Sequence, residues 1–559
     1  MQQQLESALA TIIYDLFGIK TPVTLSRTDE KFGDYATNVA LKLSGQLGRS
    51  PRDIASEVVG KITTDLTGQV LDAQIAGPGF INITLTAQAL VSTIGAPIAK
   101  SWENKKVLVE YSDPNPFKPL HAGHLYTTLV GDAIARLLEA SGATVIRLNY
   151  GGDVGLHVGK TMWAIVKTLG GELPDKLANI AAAERPYWLG EQYVLGNNAY
   201  ESDESVKAEI IAVNARIYEI HNSNDHESPL AQIYWAGRTW SYDYFRDLYN
   251  QLQVKPFDRM IPESEIVPLG LQTVHEQLQK GVYQTSEGAV VFKGEPYGLH
   301  TRVFINSKGL PTYEAKDVGL LMTKWQDYHF DRSIVITSNE QQQYMEVMLK
   351  SVEQFAPELV AKSEHKTHGV VKLAGGVKMS SRKGNTAGAL QILEAAAAAN
   401  LEATGQDNTD TVLGAVKYAF LKNRIGGDII YDPAESVSLE GNSGPYLQYA
   451  YARACSILAK ADTVALSDDL LLELLPSERQ LAFKLSQYGE VVARAAAELM
   501  PHHVCGYLYE LAQTFNRFYE NNRVIGSDRQ ANRLKLVEVY AQTLQAGLEL
   551  LGLPTPTKM

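Results

Sequence analysis

The sequence contains very little cysteine and no long hydrophobic run. Only Cys455 and Cys505 occur among 559 residues. They form no Cys-x-x-Cys pair, which excludes a disulfide framework and argues against a structural zinc site. No apolar stretch approaches the roughly 20 residues of a membrane-spanning helix. Residues 1–20 lack both the basic segment and the uninterrupted apolar core of a signal peptide. We therefore expect a cytoplasmic protein that does not bind membranes.

An excess of positive charge is also missing. The formal net charge is -12, which argues weakly against a nonspecific nucleic-acid binder but leaves room for a local basic groove. The hydrophobic fraction of 45% and the charged fraction of 20% are ordinary for a soluble globular protein. A chain of this length is too long for one hydrophobic core, so three or more domains are expected.

Hydrophobic periodicity predicts an α/β part followed by an all-α part. Residues 1–100 are typical of a compact α/β module, and residues 101–386 of a doubly wound, Rossmann-like domain. A helical, aromatic-rich segment at about 170–265 is predicted to be inserted into that domain. A helical connector follows at 387–440, and an α-helical bundle at 441–559.

Individual elements are predicted from the same patterns. The predicted strands lie at 70–75, 80–85, 107–110, 144–148 and 333–337. The predicted helices lie at 5–17, 34–43, 52–61, 390–403, 411–422, 446–461, 478–498, 504–520 and 528–551.

A strand-to-helix junction contains the most informative motif. The apolar residues 107–109 lead through a proline-broken loop to His121-Ala-Gly-His124, where an apolar helical pattern begins. Such a junction offers backbone N–H groups and the positive end of a helix dipole to an anion. Gly123 would let a phosphate approach the backbone. A charged imidazole or an N–H donor there can stabilise a transferring phosphate.

An isolated His-x-x-His is more often a capping turn with solvated histidines. Here the preceding loop, Pro-Asn-Pro-Phe-Lys-Pro at 114–119, favours the phosphate site. Its three prolines stiffen the chain, and Lys118 adds a cation to the same pocket.

A second basic motif lies at 375–385 and reads Gly-Gly-Val-Lys-Met-Ser-Ser-Arg-Lys-Gly-Asn. Its flanking glycines predict a mobile loop, and Lys378, Arg382 and Lys383 supply three cations. This chemistry suits a clamp on a triphosphate during nucleotidyl transfer. Taken alone, the segment fits a solvated basic turn equally well.

Together the two motifs resemble the paired nucleotide motifs of class I aminoacyl-tRNA synthetases. His121 to His124 is similar to the motif written HIGH, and Lys378 to Arg382 to the motif written KMSKS. Ser381 stands where many members carry a second lysine. Arginyl-tRNA synthetases often lack that lysine and carry another just before the first motif, which here is Lys118. The resemblance covers essentially the whole chain.

The resemblance to the arginine enzymes implies activation of L-arginine with ATP and transfer to tRNA(Arg). Magnesium is expected to enter with ATP, held mostly by phosphates and water, and no structural zinc is expected. The implied catalytic residues are His121, His124, Lys118 and Lys378. The implied ATP-binding residues are Pro119, Gly123, Met379, Ser380, Ser381, Arg382 and Lys383.

The resemblance also implies an arginine pocket. Tyr313 and Asp317 lie one helical turn apart and share a face, and they would hold the side chain. Glu110 and Asn115 would lie near the α-amino group, and Ser112 and Gln341 complete the set. Without the resemblance, Asp317 is best interpreted as a helix-surface acid. A pocket of paired charges rejects neutral or shorter analogues, so a hydrolytic editing domain would be unnecessary.

The N-terminal module, with its motifs at 31–38 and 77–82, resembles the domain that contacts the tRNA D-loop, implying Phe80 and Asn82. The C-terminal bundle is similar to an anticodon-binding domain, in which Tyr446 and Arg453 match contacts to splayed bases. Most other aromatic residues there are expected in the helix core.

The resemblance also implies a monomer whose activation step needs tRNA. The basic residues of the last segment form either one groove or scattered solvated positions; they are Arg517, Arg523, Arg529, Arg533 and Lys535.

Two departures and two alternatives remain. Tyr344 stands where the family commonly has histidine, and His157 where many relatives have glutamine. One alternative is a class I ligase for cysteine, glutamate or lysine. Cysteine enzymes typically carry zinc-ligating cysteines, and a glutamate pocket needs a basic residue in place of Asp317. The other alternative is a non-catalytic RNA-binding paralogue, in which degenerate nucleotide motifs are expected.

Overall fold

The N-terminal module is a four-stranded antiparallel sheet covered by helices. The computed structural model describes residues 1–202, 204–374, 388–461 and 473–559. The module comprises α1 (Gln2–Phe17), β1 (Ser26–Arg27), β2 (Tyr35–Thr37), α2 (Val39–Leu47), α3 (Pro51–Asp65), β3 (Val70–Ala76), β4 (Phe80–Leu85) and α4 (Ala87–Val91). The sheet order is β1-β2-β4-β3. Strand β4 alternates as expected for a half-buried strand, with Ile81 and Ile83 in the core and Phe80 exposed.

The helix predicted at 34–43 begins later than expected, so the first part of that prediction is wrong. Tyr35–Thr37 is a strand, and α2 begins only at Val39. The Asp34 carboxylate accepts a 2.6 Å hydrogen bond from the Leu85 amide, and β2 pairs with β4 along its length. These tertiary contacts override the local helical pattern.

The middle of the chain is built on a five-stranded parallel sheet in the order β12-β11-β5-β6-β7. The chain builds outward from β5 to β7, then returns to the other side of β5 with β11 and β12. The strand order therefore reverses between β5 and β11, which is the switch point of a doubly wound sheet. The strands are β5 (Lys106–Glu110), β6 (Thr144–Gly151), β7 (Arg259–Pro262), β11 (Arg332–Ser338) and β12 (Ser363–His368).

Helices cover both faces of this sheet and form the inserted segment. The inserted α7 and α8 pack on α6, and a small antiparallel sheet, β10-β9-β8, lies between α10 and α11 in the chain. The elements are α5 (Ala122–Ala140), α6 (Leu156–Leu169), α7 (Arg185–Ser202), α8 (Glu204–Ser223), α9 (Pro229–Gln251), α10 (Glu263–Gln279), β8 (Gln284–Ser286), β9 (Ala289–Phe292), β10 (Arg302–Ile305), α11 (Tyr313–Tyr328), α12 (Gln342–Glu353), α13 (Pro357–Ala361) and β13 (Val371–Leu373).

The described C-terminal part is almost wholly helical, so the predicted combination of α/β and all-α architecture is confirmed. None of the described helices is long and apolar enough to cross a membrane. The elements are α14 (Ala389–Thr404), α15 (Thr409–Leu421), β14 (Ile429–Tyr431), α16 (Pro433–Ser436), α17 (Gly444–Lys460), α18 (Pro476–Leu485), α19 (Tyr488–Glu498), α20 (His502–Asn521) and α21 (Gln530–Leu550).

The predicted single helix at 478–498 is also wrong, because it is divided into α18 and α19 at Ser486 and Gln487. The Ser486 hydroxyl donates to the Phe483 carbonyl at 2.7 Å, and the Ser486 carbonyl accepts from Arg27 at 3.3 Å. Side-chain bonds of this kind compete with the helical ladder and bend or break a helix.

The first and last modules are joined by two ion pairs, which we call the clamp. Arg27 pairs with Glu490 at 3.0 Å, and Arg479 pairs with the buried Asp34 at 2.6 Å. The hydroxyl of Tyr35 also donates to Glu490 at 2.9 Å, and the Arg27 guanidinium stacks over the Tyr35 ring. The clamp therefore fixes the N-terminal sheet against the C-terminal bundle.

Candidate active site

A cleft of about 550 Å³ opens at the carboxyl ends of β5 and β11. This is the switch point, where doubly wound sheets bind their ligands. Pro119 is exposed and lies outside the lining; it packs near Gly190 on α7. Residues 378–383, predicted to bind ATP, lie outside the described residues. The predicted residues that line the cleft are Glu110, Ser112, Asn115, Lys118, His121, Gly123, His124, Tyr313, Asp317 and Gln341.

The two histidine side chains cap the N-terminus of helix α5, each through one ring nitrogen. The Nδ1 atom of His121 accepts a hydrogen bond from the Gly123 amide at 3.1 Å, and Nδ1 of His124 accepts from the His121 amide at 3.2 Å. A neutral imidazole that accepts through Nδ1 carries its proton on Nε2. Each ring therefore offers an Nε2–H donor while it holds the helix terminus. The capping and phosphate interpretations of this motif are thus compatible.

These contacts correct the expectation that the backbone amides at the start of α5 are free to bind an anion. The amides of His121 and Gly123 are bound to imidazole rings, so the side chains take over part of the anion-binding role expected of the backbone. A Cβ atom at Gly123 would lie 2.9 Å from the His121 ring. Any larger residue at 123 would push the His121 ring away from the Gly123 amide, so this hydrogen bond requires glycine.

Neither histidine is charged in the free cleft at neutral pH. Burial lowers the pKa of His121 to about 4, with further contributions from Lys118 and His368. Burial also lowers the pKa of His124 well below its ordinary value. The sequence allowed either a charged ring or an N–H donor, and the structure favours the neutral donor. The fixed cation beside them is Lys118, whose pKa is lowered by burial.

The opposite end of the cleft is acidic. Asp317 is only 8% exposed, so its interpretation as a helix-surface acid is wrong. Its Oδ2 atom accepts a hydrogen bond from the Tyr344 hydroxyl. Glu110 forms a buried ion pair with Lys324, and Asp113 lines the same wall. Glu263, which is paired with Lys316, also lines this end, so four carboxyl groups lie near two ammonium groups.

This acidity has a direct electrostatic consequence. Burial above all, together with the nearby Glu110 and Glu263, raises the pKa of Asp317 to about 7, although the Tyr344 hydrogen bond and Lys324 act in the opposite direction. The pKa of Asp113 is also raised well above its ordinary value, by burial and then by Glu110. A cation that enters this end would stabilise both carboxylates in their charged forms.

The loop after β5 is held by the loop after β6. The Asn115 side-chain oxygen accepts from the Gly152 amide at 2.9 Å, and a Cβ atom at Gly152 would lie 2.7 Å from that oxygen. His157 donates from Nε2 to the Gly152 carbonyl at 2.7 Å. His157 therefore supports Asn115 through the backbone. Ser112, with φ of 76°, contacts Tyr249 and Thr128 through its hydroxyl at 2.7 and 2.8 Å.

Sequence reasoning missed Asp113, Glu263 and Lys324, which also line the cleft. A signal existed for Lys324, because it lies seven residues after Asp317 on one face of α11. Asp113 lies within the motif loop itself. Glu263 offered no local signal, because its buried partner, Lys316, lies 53 residues further along the chain on α11.

The residues assigned to tRNA contact lie outside the lining of the cleft, in two other modules. Asn516 donates to the Tyr446 hydroxyl at 2.9 Å. The Arg453 guanidinium lies 5.2 Å from the ring of Tyr449 and 5.9 Å from that of Tyr519, and both tyrosines are substantially exposed. We call these five residues the tyrosine–arginine patch. In the N-terminal module, Phe80 is exposed and Asn82 is half-buried. The two residues are two positions apart and therefore lie on the same face of β4.

Three of the five basic residues at 517–535 form ion pairs within the C-terminal bundle. Arg529 and Arg533 both pair with the fully buried Glu478, and Arg533 also donates to the Arg523 carbonyl. Lys535 pairs with Glu538. Arg529 and Arg533 therefore hold α18 against the start of α21, whereas the Lys535 pair lies within α21. Within the described ranges, no group of three or more His, Cys, Asp or Glu side chains could hold a metal ion.

Three family models match consecutive parts of the chain. "Arginyl tRNA synthetase N terminal domain" matches residues 1–85, "tRNA synthetases class I (R), catalytic domain" matches residues 86–434, and "DALR anticodon binding domain" matches residues 447–559. The middle model alone covers more than half of the chain.

Curated relatives and solved structures agree with these models. An arginine–tRNA ligase of Frankia casuarinae is 30% identical over 94% of this chain and 93% of its own length. One of Phocaeicola vulgatus is 27% identical, with both chains fully covered. The structure of Thermus thermophilus arginyl-tRNA synthetase superposes with a TM-score of 0.79 at 25% identity, covering 100% of both chains.

Proposed function

The chain belongs to the arginyl-tRNA synthetase family of class I, and from this membership we propose that it is an arginine–tRNA ligase. The carboxylate of L-arginine attacks the α-phosphorus of ATP in line and releases pyrophosphate, which yields arginyl-adenylate. The terminal ribose of tRNA(Arg) then attacks the acyl carbon and releases AMP. Little covalent chemistry falls to the protein, so positioning and charge stabilisation dominate.

The observation that carries the specificity for arginine is the acidic end of the cleft. Glu110 is paired with Lys324 and Glu263 with Lys316, whereas Asp113 and Asp317 have no cationic partner of their own among the described residues, so this end has an excess of carboxyl groups. The pKa of both aspartates is raised by burial, so an entering cation brings them into their charged forms. Arginine brings a guanidinium group and an α-ammonium group, which match that excess. Buried carboxylates also give a guanidinium the planar acceptors that it requires.

Within this pocket each residue has a proposed role. Asp317 and Tyr313 hold the guanidinium end, and Gln341, which lines the cleft from the turn after β11, completes the pocket. Glu110 and Asn115 hold the α-amino end, and Ser112 fixes the loop between them. The reactive carboxylate then points toward the first turn of α5.

The other end of the cleft takes ATP. The Nε2–H groups of His121 and His124 donate to phosphate oxygens, and Lys118 adds positive charge beside them. Lys378 supplies a second cation. Magnesium enters as the ATP complex and is held by phosphate oxygens and water. The proposed ATP contacts include Gly123, Met379, Ser380, Ser381, Arg382 and Lys383, whereas Pro119 lies outside the cleft lining and is not among them.

The tRNA would be held at both ends of the chain. Phe80 and Asn82 contact the D-loop, and Tyr446 and Arg453 contact the anticodon bases. The exposed rings and guanidinium of the tyrosine–arginine patch suit base stacking. We further propose that arginine activation needs bound tRNA, and that the enzyme works as a cytoplasmic monomer. Equally fast ATP–pyrophosphate exchange without tRNA would contradict the first of these statements, and sedimentation velocity tests the oligomeric state.

The decisive experiment is the charging of total tRNA with each of the twenty amino acids in turn. We expect ATP-dependent acid-precipitable product with arginine alone. Product with cysteine, glutamate or lysine instead would assign another class I specificity. Binding of tRNA without any product would identify a non-catalytic RNA-binding protein.

A further inference from the structure

Tyr344 reaches into the arginine end of the cleft from a different element than the other contacts. It lies in the first turn of α12, just after β11, and its hydroxyl donates to Oδ2 of Asp317. Both residues line the cleft. The hydrogen bond occupies Oδ2 and leaves Oδ1 for a ligand.

Asp317 needs such a donor because its surroundings disfavour its charge. Glu110 faces it from β5, Asp113 from the following loop, and Glu263 from the start of α10. The opposing cation is Lys324 on its own helix, and that ammonium group is already paired with Glu110. Tyr150 on β6 is a further, neutral neighbour. A hydrogen bond to the charged form is therefore what favours the carboxylate over the neutral acid.

We propose that Tyr344 is a positioning residue for arginine recognition: its hydroxyl keeps the Asp317 carboxylate ionised and directs the second oxygen to the guanidinium. This inference rests on the proposed function, because it assigns the guanidinium to Asp317. Tyr344 does not touch the reacting atoms, so its effect falls on arginine affinity rather than on the chemical step.

The test is the pH profile of Tyr344→Phe between pH 5.5 and 9. Phenylalanine keeps the ring and removes only the donor. A hydrogen bond to a charged group is worth about one pH unit of acidity or slightly more. We therefore expect the acid limb of kcat/KM for arginine to move up by about one unit. Near pH 7 the KM for arginine should rise about fivefold to tenfold, with kcat and the KM for ATP nearly unchanged.

Raising the pH to 9 should restore the variant to within about twofold of the wild-type enzyme, because Asp317 is then ionised in both. The matched control is Tyr297→Phe, which removes a 2.9 Å hydrogen bond to Gln354 outside the cleft. The control should leave the profile unmoved. Calorimetry in buffers of different ionisation enthalpy supplies a second readout, in which Tyr344→Phe releases more protons than wild type on binding arginine at pH 7.5.

An unmoved profile with unchanged proton release would overturn the inference. An equal loss at every pH, including pH 9, would also overturn it, because a purely structural role gives that result. Failure of the wild-type enzyme to charge arginine would instead defeat the proposed function. The two failures are therefore distinguishable.

Discussion

Replacing Asp317 by asparagine removes one charge from the cleft while the size of the side chain is kept. The carboxylate is 8% exposed and accepts a hydrogen bond from Tyr344. Loss of one partner from a buried charged pair costs about 3–5 kcal/mol. Asp317 has a pKa of about 7, so it is half ionised at neutral pH in the free protein. Ionising the remaining half when arginine binds lowers the contribution of Asp317 by only about 0.4 kcal/mol.

At about 1.4 kcal/mol per factor of ten, kcat/KM for arginine should fall roughly 100-fold to 3,000-fold at pH 7. The assay is steady-state aminoacylation with saturating ATP and tRNA. The loss should appear mainly in the KM for arginine, because the carboxylate binds the side chain in every state of the reaction.

The matched control is Asp327→Asn, the same substitution on the same helix. Asp327 is 41% exposed and pairs with Arg259 outside the cleft. Surface pairs of this kind contribute about 0–1 kcal/mol, so activity should stay within about threefold of wild type. A loss of less than fivefold for Asp317→Asn, with the control unchanged, would refute the assignment of Asp317 to the guanidinium.

Three further results are expected. His124→Ala removes an Nε2–H donor to the phosphate and should lower kcat about 100-fold to 1,000-fold, while filter binding shows unchanged affinity for tRNA; full activity would remove His124 from the chemistry. Because arginine favours ionised Asp317, whose pKa is about 7, kcat/KM for arginine should fall as the pH drops below 7, approaching tenfold per unit, and a flat profile down to pH 5.5 would contradict this. Arg453→Ala should raise the KM for tRNA roughly fivefold to 100-fold through lost stacking, about 1–3 kcal/mol, and leave the KM for ATP unchanged; an unaltered KM for tRNA would exclude the patch from binding.

The local parts of the site could be predicted from the sequence. Strand β5, the proline-broken loop and the start of α5 all follow from one short segment, so its residues meet by chain connectivity alone. Their polar partners could not be predicted in the same way. The charge on Asp317 depends on Glu110, Glu263 and Tyr344, which come from three distant parts of the chain.

The errors in the fold have the same origin. The segment at 34–43 has a helical pattern, but Asp34 is bound to Leu85 and Arg479. The edge strand β12 reads Ser-Glu-His-Lys-Thr-His and lacks the apolar alternation of a typical strand. It pairs because β11 offers a free edge, which is a property of the assembled sheet.

The clamp limits how this enzyme can be recombined. Its two ion pairs join positions 445 and 463 residues apart, and each module supplies one acid and one base. A chimera that takes its first 90 residues from another source must therefore bring both Asp34 and Arg27, or leave Arg479 and Glu490 without partners. Substitutions in the first module are thus constrained by side chains in the last one, although the catalytic domain lies between them in the chain.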